Sequence, residues 1–138
     1  DLPFYWQSRI AKLLYDCPMT VRGFRGATQL TVDSAEEMRD AVGELVSELI
    51  TVNKLSTPDI VSILFTATSD IHSTFPATAI RGMGFESVPL ICAQEMDVPG
   101  ALPMTVRVMI HANSEIGQAA VQHVYKRGAS ALRPDLAR

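Results

Sequence analysis

A chain of 138 residues that is 47% hydrophobic and 20% charged has the length and apolar content for one folded domain with a core of its own. Its formal net charge of −3 argues against general affinity for nucleic acid or an anionic membrane, so any anion must be caught by a local arginine cluster. Cys17 and Cys92 give neither a disulfide framework nor a metal-ligand spacing; no metal or cofactor is expected, a reducing cytoplasm suits the composition, and no apolar run approaches the roughly 18 residues of a membrane span.

Residues 1–18 read as a leader, with the domain expected over 19–138. Phe4-Tyr5-Trp6 and the run from Ile10 to Tyr15 could make one short amphipathic turn, the acidic start does not suit a signal peptide, and Met19 stands as a natural initiator before a strand pattern. The alternative is an ordinary N-terminal arm packing on a neighbour. Val21 to Thr28 reads as a first strand containing Gly23 and Gly26. Glycine weakens a strand unless a ligand or another backbone must come close, which marks Arg25 between them as a candidate; the plainer reading is a solvated edge arginine.

Ser34 is a helix cap, and Glu37 stands where it can complete a capping box. Met38, Ala41, Val42, Leu45, Leu49 and Val52 then recur at helical spacing, so an amphipathic helix lying on a sheet is expected, ended by Asn53 and Lys54. Thr57-Pro58-Asp59 opens a short helical turn, and Ile60 to Thr68 follows as a buried strand. His72, without a second histidine at metal spacing, reads as a capping or hydrogen-bonded residue. Phe75 to Arg81 suggests a short helix ended by Gly82 and Gly84, with Arg81 either a mobile anion clamp or a plain surface arginine.

Two apolar, β-rich runs, one from Val88 that ends at Glu95 and one from Met104 to Ile110, enclose a polar hinge. Val106, Val108 and Ile110 alternate with Arg107, Met109 and His111, so Arg107 falls on the face opposite the valines and needs an anionic partner. Glu95 can supply it, and Cys92 is close in sequence. Asn113-Ser114-Glu115 is expected to start a last helix with Ile116, Ala119, Ala120 and Val124 facing inward, Tyr125 extending the buried face, and Gly128 as its stop. A buried tyrosine there needs a partner for its hydroxyl. The tail from Ala131 to Leu136 is apolar enough to pack over something.

From about Met19 onward the chain resembles the monofunctional chorismate mutases of the small trimeric class. The fragments that carry the resemblance are Arg22 to Thr28, Ala67-Thr68 with Asp70, Phe75-Pro76-Ala77, Val88-Pro89 with Cys92, Gln94 to Val98, Arg107-Val108-Met109, His123-Val124-Tyr125 and Leu132 to Asp135, in shared order and near-constant spacing. The resemblance implies an α+β (mixed α/β) fold of ferredoxin-like topology, its sheet backed by helices on one face. Three copies would form a pseudo-α/β-barrel, a homotrimer with active sites between subunits. It also implies the rearrangement of chorismate to prephenate in aromatic amino acid biosynthesis. Carried over position by position, Arg25, Arg81, Cys92, Glu95, Arg107 and Tyr125 fall at substrate contacts, and Phe75 and Leu132 at apolar walls. The chain departs from the pattern at Thr78, where a lysine is familiar, at Pro103, and in a shortened loop after Arg81.

That reaction is unimolecular and asks two things of a protein: a folded substrate, and stabilisation of negative charge growing on the ether oxygen. Arg107 suits the second task, Arg25, Tyr125 and Arg81 suit the substrate carboxylates, and Glu95 with Cys92 suits the ring hydroxyl. Three other readings stay open on residues alone. Glu95 and Arg107 can be a structural ion pair; the chain can be a trimeric carboxylate-binding protein; or Glu95 can position water for imine or enamine hydrolysis.

Overall fold

The computed structural model describes Pro3 and residues 19–135. The readings of an amphipathic turn before Met19 and of Leu136 in a packed tail lie outside the described residues. Strand β1 (Thr20–Gln29) runs into helix α1 (Ala35–Val52), and strands β2 (Ile60–Ala67), β3 (Leu90–Gln94), β4 (Thr105–Ser114) and β5 (Val124–Tyr125) follow. They form one mixed sheet in the order β3-β2-β4-β1-β5. β4 is antiparallel to both β1 and β2, whereas β3 lies parallel to β2 and β5 parallel to β1.

Alternation gives the sheet two unlike faces. Phe24, Ile63, Phe65, Val106, Val108 and Ile110 pair across neighbouring strands and are buried under α1, which contributes Met38, Ala41, Val42, Leu45, Val46 and Leu49. Each of the larger side chains gains about 1.5–3 kcal/mol by leaving water. Val46 is fully buried beside the expected positions, and Val52 is only partly covered. The Pro76–Ile80 stretch is a 3-10 turn that adds Ala79 and Ile80 to this core. On the other face stand Arg25, Ala27, Leu64, Thr66, Ile91, Met109 and Arg107.

The start of α1 departs slightly from the expected capping box. Ser34 Oγ accepts the Glu37 N–H at 3.1 Å, but the Glu37 carboxylate reaches past Ser34. It accepts the Thr31 N–H and hydroxyl at 2.6 and 2.7 Å and the Val32 N–H at 2.8 Å. Of the two β1 glycines, Gly26 has the reason a strand glycine implies, because another backbone comes close to it. A methyl group on Gly26 would stand 2.9 Å from Leu45, Leu49 and the Val124 carbonyl, so close approach of α1 and β5 requires glycine there.

The expected last helix does not form. Asn113 and Ser114 continue β4 opposite Val21 and Thr20, Arg22 Nε donates to the Ile116 carbonyl at 3.0 Å, and Ala119 and Ala120 are exposed. Pairing β5 along β1 satisfies the backbone of that strand's edge, which outweighs a helical spacing that would first have to nucleate. Gly128 therefore stops no helix. It sits in the Arg127–Ala131 3-10 turn, where a Cβ would collide with the Gln29 side-chain amide. Leu132 in the tail packs, as expected, on a small second cluster of Ala27, Tyr125 and Ala129.

Candidate active site

The face away from α1 collects the charge. Arg107 lies there on β4, with Ala27 of β1 on one side in register and Thr66 of β2 on the other. Its Nε meets Glu95 Oε1 at 2.8 Å, and the Thr66 hydroxyl donates to the same oxygen at 2.7 Å. Glu95 follows β3, anchored by its own N–H on the Ala67 carbonyl at 3.0 Å. The Glu95 side chain is 15% exposed and that of Arg107 44%, so the carboxylate is seated while the guanidinium reaches solvent. Pinning through Nε fixes the fork's plane and leaves its two terminal amino groups without a partner among the described residues.

Arg25 forms the second cationic element. Its Nε donates to the Tyr125 hydroxyl at 2.8 Å, and its guanidinium carbon lies 5.9 Å from the centre of the tyrosine ring. This is the partner a buried tyrosine needs: Tyr125 is 3% exposed. The Arg25 backbone N–H donates to His123 Nδ1 at 3.1 Å, so that nitrogen carries no proton. Burial holds the His123 pKa below its usual value, and the charges of Arg25 and Arg133 push the same way. Because Ala27 pairs with Tyr125 on one side and with Arg107 on the other, only a methyl group separates the two cationic elements along that row.

Phe75, Cys92 and Arg81 are placed elsewhere. Cys92 pairs with Phe65 and packs against the core under α1, so within one chain its side chain faces away from Arg107 and Glu95. It lines an open cleft with Ala67, Thr68, His72 and Phe75, and Phe75 stands 70% exposed at that cleft. Arg81 is exposed and lies in a second cleft with Gly82, Phe85, Val88 and Leu90. Two positive-φ glycines, Gly82 and Gly84, follow it. One chain therefore brings together Arg25, Glu95, Arg107, Tyr125 and the neighbouring Leu132, and leaves Phe75, Arg81 and Cys92 apart from them.

The loop that carries Phe75 is tied down by two carboxylates. Asp33 accepts the His72 and Ser73 N–H groups at 2.8 and 3.0 Å, so the expected hydrogen bond of His72 is made by its backbone. Bonds from Ser73 and His72 hold the Asp33 pKa below the usual carboxylate value. Asp70 accepts the Thr68 hydroxyl at 2.5 Å and the Met104 N–H at 2.9 Å. Burial raises its pKa, but those two bonds outweigh it and the net shift is downward. Sequence reasoning passed over Thr66 and Asp33. Thr66 could have been found as the polar residue on the strand before the Glu95 run; Asp33 gives no signal beyond its place near a helix start.

The arrangement can bind a molecule with more than one anionic group, donate several charge-assisted hydrogen bonds to it, and accept one from a hydroxyl at the free oxygen of Glu95. Residues 21–136 match the family model described as chorismate mutase type I. The chain is 40% identical over 119 residues to the chorismate mutase AroH of Bacillus subtilis, covering 86% of this chain and 94% of that protein. It is 42% identical over 117 residues to the AroH of Thermus thermophilus, covering 84% and 96%. A solved chorismate mutase from Clostridium thermocellum superposes with a TM-score of 0.78 at 40% identity, covering 80% of this chain and 98% of that one.

Proposed function

This chain belongs to the type I chorismate mutase family and isomerises chorismate to prephenate, and from that premise we propose how its residues divide the work. The rearrangement breaks one carbon–oxygen bond while it forms one carbon–carbon bond, with no nucleophile and no proton transfer. Arg107 faces the breaking bond. Its terminal amino groups hydrogen-bond the ether oxygen and the adjacent carboxylate, and those bonds strengthen as negative charge grows on the oxygen. Glu95 accepts the ring hydroxyl and offsets the fork's charge. Arg25, held by Tyr125, takes a substrate carboxylate, which restrains the side chain over the ring. The observation that carries this reading is the 2.8 Å contact between Arg107 Nε and Glu95, because it orients the fork while leaving two donors for substrate.

Phe75, Arg81 and Cys92 contribute from a neighbouring copy in a homotrimer. Two features support that reading. These residues lie away from Arg107 within one chain, and the sheet face bearing Arg107 also exposes Val21 and Ile91, which are 52% and 64% accessible. Exposed apolar side chains of that kind are suited to burial against another copy. Leu132, expected as a wall, acts from the Tyr125 side.

A crystal soaked with a bicyclic dicarboxylate that mimics the rearranging species tests the assignment. Its ether oxygen is expected within hydrogen-bond distance of Arg107, with residues of a second chain closing the cleft. The mimic bound away from Arg107 would overturn the reading. Mixing the protein with chorismate separates it from a carboxylate-binding protein, since only the enzyme consumes chorismate and yields prephenate.

A further inference from the structure

Asn53 is 1% exposed at the end of α1 and uses its whole amide. Nδ2 donates to the Leu49 carbonyl at 2.9 Å and to the Gln122 carbonyl at 2.8 Å, while Oδ1 accepts the Gln122 N–H at 2.8 Å. The first bond is ordinary care of a helix terminus. The other two clamp both polar groups of one peptide residue far along the chain, and a helix end has no need of them.

We infer that Asn53 is a positioning residue for substrate binding, which fixes Gln122 and through it the Arg25–Tyr125 pair. The inference rests on the reading that this pair holds a substrate carboxylate. Next after Gln122 comes His123, whose Nδ1 accepts the Arg25 N–H, and then β5, only Val124 and Tyr125 long. A strand of two residues has few bonds of its own to set its place. After it, the Lys126 N–H reaches the Ala27 carbonyl at 2.9 Å and its ammonium pairs with Glu48. Before it, the Asn53 clamp is the anchor that α1 provides. Releasing that clamp lets Tyr125 drift along β1, and the Arg25 side chain, bonded to the tyrosine hydroxyl, drifts with it. Recognition by charge-assisted bonds tolerates little such movement.

Asn53→Ser separates the two roles, because a serine hydroxyl can bond the carbonyl four residues back yet is too short for Gln122. In the full-length chain, Asn53→Ser and Asn53→Ala are expected to raise KM for chorismate about fivefold, as for a lost hydrogen bond, with kcat within about twofold of the parent. In a Tyr125→Phe background the same Asn53→Ser change is expected to add less than about twofold, because both act through one contact. A parental KM for Asn53→Ser would make the residue a helix cap alone and overturn the inference, as would an equal multiplication of KM in both backgrounds. An unchanged KM in Tyr125→Phe itself would instead remove the reading beneath it. Should Asn53→Ala fail to fold, Asn53→Ser carries the comparison.

Discussion

The Arg107 guanidinium does something that charge alone does not. Its Nε is bonded to Glu95, and the remaining two nitrogens lie in a plane set by that bond. A lysine can keep the ion pair or face the substrate, but it has no planar fork with which to do both. Arg107→Lys is therefore expected to lower kcat by about 100- to 1000-fold, the range for removing one donor to a developing oxyanion, with the protein still folded. Near-parental turnover would contradict the role. Arg25→Ala is expected to raise KM, and Tyr125→Phe to raise it less, since the ring stays packed on Ala27 and Leu132. Steady-state kinetics on chorismate checks both. The Arg107–Glu95 pair was legible from strand alternation. So was the separation of Cys92 from Glu95, had the same rule been applied: three residues apart on an extended strand puts side chains on opposite faces. Thr66 stands out in sequence as a polar residue on a buried strand, but its place beside Arg107 follows only from the β2–β4 register, which no local pattern encodes.

Among the elements, β1 and α1 are determined by their own residues, and β5 is determined by what it lands on. Helical period and the Ser34 cap suffice to locate α1. Residues 113–128 have helical spacing too, yet the chain uses them to cover the edge of β1. The close contact is made at Gly26. Gly26→Ala is expected to cost about 1–3 kcal/mol in urea unfolding, because one of the atoms it would strike is the Val124 carbonyl, which cannot rotate away. Full stability in that variant would mean β5 is not held where it is described. His123 gives the same junction a pH dependence. Its folded pKa lies below the ordinary 6.5, so as pH falls the unfolded chain takes up the proton first. The stability it contributes is complete above about pH 6.5 and is lost as pH drops toward the folded pKa. Asp33 and Asp70 titrate below their ordinary 3.8 and leave that window clear. Unfolding measured between about pH 7.5 and 5 is expected to show a decline that shrinks in His123→Gln; an equal decline in both proteins would contradict it.

At the scale of the molecule, the sheet sorts its residues by face. One face is sealed by α1; the other carries the cations, Leu64, Met109 and the exposed Ile91 and Val21. The mixed α/β layering was legible in the order of strand and helix patterns, as was the identity of the charged residues. Which of them one chain brings together was not, because that depends on the sheet order β3-β2-β4-β1-β5, a long-range property. Ile91→Lys replaces an exposed apolar side chain of the edge strand β3 with a charge and is expected to dissociate the proposed trimer and abolish most of the activity together, read by sedimentation and chorismate turnover. A monomer that retained full turnover would contradict a shared site. Co-refolding two defective chains, Arg107→Ala and Arg81→Ala, in equal amounts tests the shared site most directly. If Arg107 of one copy works with Arg81 of its neighbour, mixed trimers contain some clefts with both arginines, and chorismate turnover is expected to rise clearly above the mean of the two parents; turnover that stays at that mean would contradict it.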